Sequence, residues 1–264
     1  MSQLIVFCFV FFISRVTSEY YLNSLIVWNV GQGQWVSFVS QDECIHIDMG
    51  GETWPKNVVY ACSNKINAVY LSHWDFDHIR FVLKASKILS AFCIIQLPEA
   101  IPRTRFQQQI NKLGKCQRSA SLQRVTEVKW KKNGKKSNVL SRVFVISKTV
   151  LISGDSPKGQ EMKWAKQVQN LPIRLLVLGH HGSRTSTSSF LMSQLPQLQL
   201  GISSSRFARY GHPHVQVVRR FKEFKIPLIR TEDWGDIKVE LRQFQESGHQ
   251  VQHGDSNLGF LGFF

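Results

Sequence analysis

Between Ser72 and His78 the chain reads Ser-His-Trp-Asp-Phe-Asp-His, which places four groups able to ligate a metal within six residues. The apolar run Ala68–Leu71 comes directly before it, so these side chains sit just past the end of a strand. An ordinary solvated turn has no use for such a concentration of imidazole and carboxylate. In sheet-based α/β folds, groups carried just beyond strand ends converge on one rim, where loops are free to hold a ligand.

The same pattern recurs along the chain. Leu25–Val30 leads into Gly31-Gln32-Gly33, and Cys44–Ile47 into Asp48-Met49-Gly50-Gly51. Val150–Ile152 leads into Gly154-Asp155-Ser156, and Leu175–Leu178 into Gly179-His180-His181-Gly182-Ser183. Helices are expected near 79–90, 104–114, 157–169, 186–195 and 214–224. The rim then holds Asp48, His73, Asp75, Asp77, His78, Asp155 and His180. Carboxylates gathered without a cation would repel one another, and imidazole and carboxylate are both ligands for divalent metals. A pair of metal ions supplies the missing charge. His46, alone on the strand before Asp48, reads as a core histidine.

Other chemistries find no support. Gly31-Gln32-Gly33 begins like a dinucleotide fingerprint, but Val36 holds the third glycine position. The Ser183–Ser189 stretch contains no Gly-x-Ser-x-Gly elbow, and no Walker-type phosphate loop occurs.

Charge adds a partner. The chain carries 33 Lys plus Arg against 18 Asp plus Glu, a net +15, which favours a polyanion. Between Arg103 and Lys148 stand 13 basic residues and one acid, Glu127. Within that span Lys129, Trp130, Lys131, Lys132, Lys135 and Lys136 surround Asn133-Gly134, a hairpin-like turn. Lysines there could neutralise phosphates while Trp130 stacks on a base; the plain alternative is a solvated loop. Arg209 lies close in sequence to His212.

The first residues form a separate object. Leu4–Ile13 is an unbroken run of ten apolar residues, too short to span a bilayer but suited to the core of a secretory signal. Cleavage is expected before Glu19, giving an exported chain with one domain over 19–264 and no stable membrane insertion. Cys44, Cys62, Cys93 and Cys116 would then pair in one of three connectivities, which spacing leaves open.

Taken together, Asn29–Gly33, Ile47–Gly50, Ser72–His78, Gly154-Asp155, Gly179–Ser183, Tyr210-Gly211-His212-Pro213-His214 and Thr231–Gly235 resemble the metallo-β-lactamase-fold domain of ComEC-type DNA-uptake proteins. The resemblance covers about 25–241. It implies an α/β fold, an αββα sandwich of two mixed sheets with helices outside and metals at one sheet edge. It further implies His73, Asp75, Asp77, His78, Asp155 and His180 as ligands of two divalent ions, zinc or manganese. Asp48 and His181 would support the site, and His212 would donate a proton or contact substrate.

Three features depart from that family. Ile79-Arg80-Phe81 stands where a glycine pair is usual. No separate His occupies the third ligand position before Asp155, where the ComEC branch has a polar segment, here Asn138–Ser141. Family members also carry this domain beside a multi-helix membrane channel, and no such segment occurs in this sequence. The function implied is a metal-dependent phosphodiesterase or nuclease, acting on DNA in preference to RNA through a metal-activated hydroxide. Hydrolysis of a small ester, lactam or phosphoester, or non-catalytic DNA binding, are the alternatives.

Overall fold

The computed structural model describes residues 23–117 and 124–241. The expected signal segment lies outside them.

Two-residue alternation sorts the strands into layers. Along β1 (Ser24–Val27), Leu25 and Val27 face inward and Ile26 outward. β2 (Val36–Val39) and β3 (Glu43–Ile47) repeat this, with Val36, Phe38, Ile45 and Ile47 inward. With β4 (Ile66–Tyr70), β5 (Phe92–Gln96) and a returning β12 (Ile237–Glu240), they form a sheet ordered β12-β1-β2-β3-β4-β5. Its pairs are antiparallel from β12 to β3 and parallel from β3 to β5.

A second sheet is built the same way. β6 (Val125–Val128), β7 (Val143–Ile146) and β8 (Val150–Ile152) pair antiparallel. β9 (Leu175–Val177), β10 (Leu200–Ser203) and β11 (Leu228–Arg230) continue it in parallel. Phe144, Ile146, Val150, Ile152, Val177 and Ile202 meet the first sheet's inner face in one buried core.

Helices close both outer faces. α1 (Asn57–Cys62), α2 (Phe76–Ile79), α3 (Val82–Ile88) and α4 (Arg105–Asn111) follow strands of the first sheet, and Val58, Val82, Ala85 and Ile110 pack on it. Over the second lie α5 (Lys158–Val168), α6 (Ser189–Ser193) and α8 (Val215–Glu223), with Trp164, Leu191 and Phe221 buried beneath. Each such side chain contributes about 1.5–3 kcal/mol relative to exposure. α7 (Phe207–Tyr210) and α9 (Thr231–Trp234) are single turns near the rim. The expected αββα sandwich is therefore the fold observed.

Two details differ from the sequence-based expectation. β1 ends at Val27 rather than Val30, because Asp236 takes the Asn29 N–H and the Val30 N–H turns back to the Trp28 carbonyl. The Asn133-Gly134 turn is not a tight hairpin: β6 and β7 pair in register Val128↔Val143, with the whole intervening stretch as their connection.

Disulfides join Cys44 to Cys62 and Cys93 to Cys116. The first ties β3 to the end of α1. Each closes a short loop of the kind that stabilises a domain by about 2–4 kcal/mol.

Candidate metal centre

The site begins with Asp48, wholly buried just after β3. Its carboxylate accepts the Ser72 N–H and hydroxyl at 2.7 Å each, the Gln34 amide at 2.8 Å and the His78 Nδ1–H at 2.7 Å. Asp48 thereby holds both ends of the Ser72–His78 segment. Gly50 lets the neighbouring backbone pass, since a Cβ there would lie 1.9 Å from the Asp77 carbonyl oxygen. The chain re-enters at Asp155 after β8. There Gly154 adopts φ +49°, and the Ser141 hydroxyl accepts the Asp155 N–H at 3.0 Å.

Three imidazoles then aim the same nitrogen at one place. Because His78 donates Nδ1–H to Asp48, the Nε2 of the neutral ring carries a lone pair. It faces Asp155 Oδ1 at 3.1 Å and His181 Nε2 at 3.2 Å. His181 donates its own Nδ1–H to the Ser204 carbonyl at 3.1 Å, so its Nε2 is also a lone pair, 3.2 Å from Asp77 Oδ2. The Ser72 hydroxyl spends its proton on Asp48, so His73 Nδ1 donates to it at 2.9 Å. His73 Nε2 then lies 3.4 Å from Asp75 and 3.7 Å from Asp155.

Such an arrangement of acceptors calls for a cation. His73 Nε2 and Asp155 Oδ1 are buried with no hydrogen-bond partner, and two lone pairs facing each other at 3.2 Å repel. Among the described residues, three groups of side chains have the spacing to hold an ion, and two of them lie here: His73, His78 and Asp155, and Asp77, His78 and His181. The group of Cys44, His46 and Cys62 has that spacing too, but its thiols are spent in a disulfide. Without a metal ion, a proton on His78 would meet the same need for positive charge. Burial opposes charge on His78, yet the Asp155 and Asp48 carboxylates outweigh it and raise its pKa well above the usual value. Burial likewise opposes charge on Asp155 and Asp77, and the surrounding imidazoles outweigh it, holding both low.

The structure brings most of the candidate ligands together. His73, Asp75, Asp77, His78 and Asp155 converge. Of the histidine pair, the buried His181 turns into the centre, while the partly exposed His180 lies at its edge, Nε2 3.4 Å from Asp155 Oδ2. Both adopt left-handed backbone, φ 50° and 56°, a conformation costing non-glycine residues about 1–3 kcal/mol. A doublet in sequence carries no signal for which ring turns inward. Asn138, from the polar segment before Asp155, brings its amide 3.5 Å from Asp155 and 3.4 Å from the His180 ring. The His212 ring sits 6.2 Å from that of His180, its Nδ1 buried and unpartnered. Burial and the nearby histidines lower its pKa to about 4, so at neutral pH it is an uncharged donor rather than an imidazolium.

The basic loop divides. Lys131, Lys135 and Lys136 are exposed. Lys129 pairs with Glu127, and Lys132 bridges Glu99 at 2.6 Å while lying 4.5 Å over the Trp130 ring. Trp130 itself donates to Gln160 and packs 6.2 Å from Trp164, so its ring is committed to the protein. Arg206 and Arg209 share the Glu52 carboxylate at the other side of the rim.

No family model matches the chain. It is similar to Competence protein ComA of Neisseria gonorrhoeae, 29% identical over 227 residues, or 83% of this chain and 32% of that protein. It is also similar to Recombination protein 2 of Haemophilus influenzae, 34% identical over 36% of this chain and 12% of that protein. ComE operon protein 3 of Bacillus subtilis is 32% identical over 35% of this chain and 12% of that protein. The chain thus spans about a third of the first relative's length, and the other two matches cover about an eighth of theirs. Among solved structures, the metallo-β-lactamase fold protein YhfI of Bacillus subtilis superposes with TM-score 0.55 at 13% identity, over 78% of this chain and 95% of that one. The chain has the metallo-β-lactamase fold, and its sequence relatives are of the ComEC type.

Proposed function

Proceeding from that kinship, we propose that the protein is an exported, metal-dependent phosphodiesterase that cleaves nucleic acid, DNA in preference to RNA. The observation that carries this reading is the set of facing lone pairs on His73, His78 and His181 around Asp155. They suit two divalent ions, zinc or manganese: one held by His73, Asp75 and Asp155, the other by Asp77, His78, His181 and Asp155, with His180 beside them. Such ions, when bound, withdraw charge from a phosphoryl oxygen and lower the pKa of a water molecule.

The chain's own groups do the rest. Asp48 keeps His78 in the tautomer that presents Nε2. Asp77 and Asp155 orient the attacking water, and His212 donates a hydrogen bond to a phosphate oxygen at the site's edge. Lys131, Lys135, Lys136 and Arg209 offer sites for flanking phosphates. Two disulfides suit an oxidising compartment, which supports export of the chain. Among the described residues no helix is long and apolar enough to cross a membrane.

Elemental analysis of the purified protein, followed by DNA and RNA cleavage assays with zinc and manganese, tests the proposal. Cleavage should disappear with Asp77→Asn and with chelation, and return on adding metal. Metal-loaded protein that leaves every nucleic acid intact while hydrolysing a lactone, β-lactam or simple phosphoester would assign it to small substrates.

A further inference from the structure

The α7 turn is unusual in what it does not do. None of its residues is buried, and Phe207 and Tyr210 remain 55% and 60% exposed. Polar tethers hold it in place: the Phe207 N–H donates to Glu232, the Arg206 N–H to Gln32, and Arg206 and Arg209 bind Glu52. A segment fixed by its polar groups while its aromatic rings stay in water contributes little to the core.

Its position explains the cost. The Tyr210 ring is 5.9 Å from the His212 ring, which in turn is 6.2 Å from that of His180 at the edge of the metal centre. The Arg209 guanidinium lies 5.5 Å from the Tyr210 ring centroid, so a phosphate-binding cation shares the platform. Phe76, between Asp75 and Asp77, is a similarly exposed ring with Phe106 at 5.7 Å and Arg80 over it, but it stands apart from the His212–Arg209 cluster.

We infer that α7 is a nucleobase platform: Tyr210 stacks on the base of the nucleotide next to the scissile phosphate and Phe207 on a neighbouring base, so the site takes single-stranded nucleic acid. A duplex keeps its base faces covered by their own neighbours, whereas a single strand offers each face to an aromatic ring. Arg209 meets the phosphate between the two stacked bases. This inference rests on the phosphodiesterase reading and adds to it a strand preference and the residues that set it.

The test is binding by fluorescence anisotropy, using the full metal-loaded chain and cleavage-resistant phosphorothioate oligothymidylate beside an abasic strand of equal length. The wild type should favour the strand with bases. Tyr210→Ala should weaken oligothymidylate binding by about tenfold or more, the loss of one stack. It should leave abasic binding and metal content unchanged, and Tyr210→Phe should restore affinity. Equal binding of oligothymidylate by the wild type and by the Phe207→Ala, Tyr210→Ala double variant would overturn the platform while leaving the phosphodiesterase reading intact. Failure of the wild type to bind either strand, with no cleavage of unmodified DNA, would overturn both. Because the turn buries nothing, the variants should melt with the wild type, which thermal unfolding checks.

Discussion

Asp48 Oδ2 and His78 Nδ1 stand 2.7 Å apart, both side chains wholly buried. This contact selects which nitrogen of His78 faces the centre. In Asp48→Asn the amide can present an N–H to the ring, which turns the proton of His78 toward the position an ion would occupy. Metal affinity should fall by about 10–100-fold, the usual consequence of losing such an orienting group. A competitive chelator titration reads it, and unchanged affinity would show that His78 does not depend on Asp48 for its tautomer.

The histidine doublet gives a second prediction. His181 Nε2 lies 3.2 Å from both Asp77 and His78, whereas His180 reaches only the rim through Asp155 at 3.4 Å. His181→Ala should therefore release metal, measured by elemental analysis after dialysis. His180→Ala should keep most of it while slowing turnover. The reverse ranking would place the ligand at His180.

How much of this was legible beforehand depended on the kind of signal. Inward residues such as Leu25, Val27, Ile45 and Ile47 announce themselves by alternation, and the histidines and aspartates past β4 and β8 by their place at strand ends. Local pattern carries less about direction. His180 and His181 are chemically alike, and what separates them is a distant partner, the Ser204 carbonyl that accepts from His181 Nδ1. Trp130 reads equally well as a free stacking ring, but its partners Gln160 and Trp164 arrive from α5, some thirty residues away. α7 has no apolar periodicity to detect, because none of its residues is buried.

His46 supplies a pH dependence that does not involve the centre. It is fully buried, accepts from Trp35 and Ser37 at Nδ1, and donates from Nε2 to Asn67. Burial outweighs the Asn67 bond and lowers its pKa from 6.5 to about 4. Between those values the unfolded chain binds the extra proton and the folded chain does not. The contribution is therefore fully present above pH 6.5 and is lost as the pH falls toward 4, up to about 3 kcal/mol. Urea unfolding of wild type and His46→Gln across this range should give curves that converge in acid. Parallel curves would mean that His46 is charged in the fold or hydrated.

The divided basic loop separates charge that serves a ligand from charge that serves the fold. Lys131, Lys135 and Lys136 are exposed, and if each meets a phosphate, replacing all three with Ala should lower the salt slope of single-strand binding by about 2. Stability should hardly change. Lys132 is different, its side chain 5% exposed and bound to Glu99 and to the Leu140 carbonyl. Lys132→Ala strands the partly exposed Glu99 without that partner and removes the cation over Trp130. It should cost roughly 1–3 kcal/mol in urea unfolding and leave the salt slope near the wild-type value. If Lys132→Ala instead changed the slope as much as an exposed lysine does, its internal pairing would have to open when nucleic acid binds.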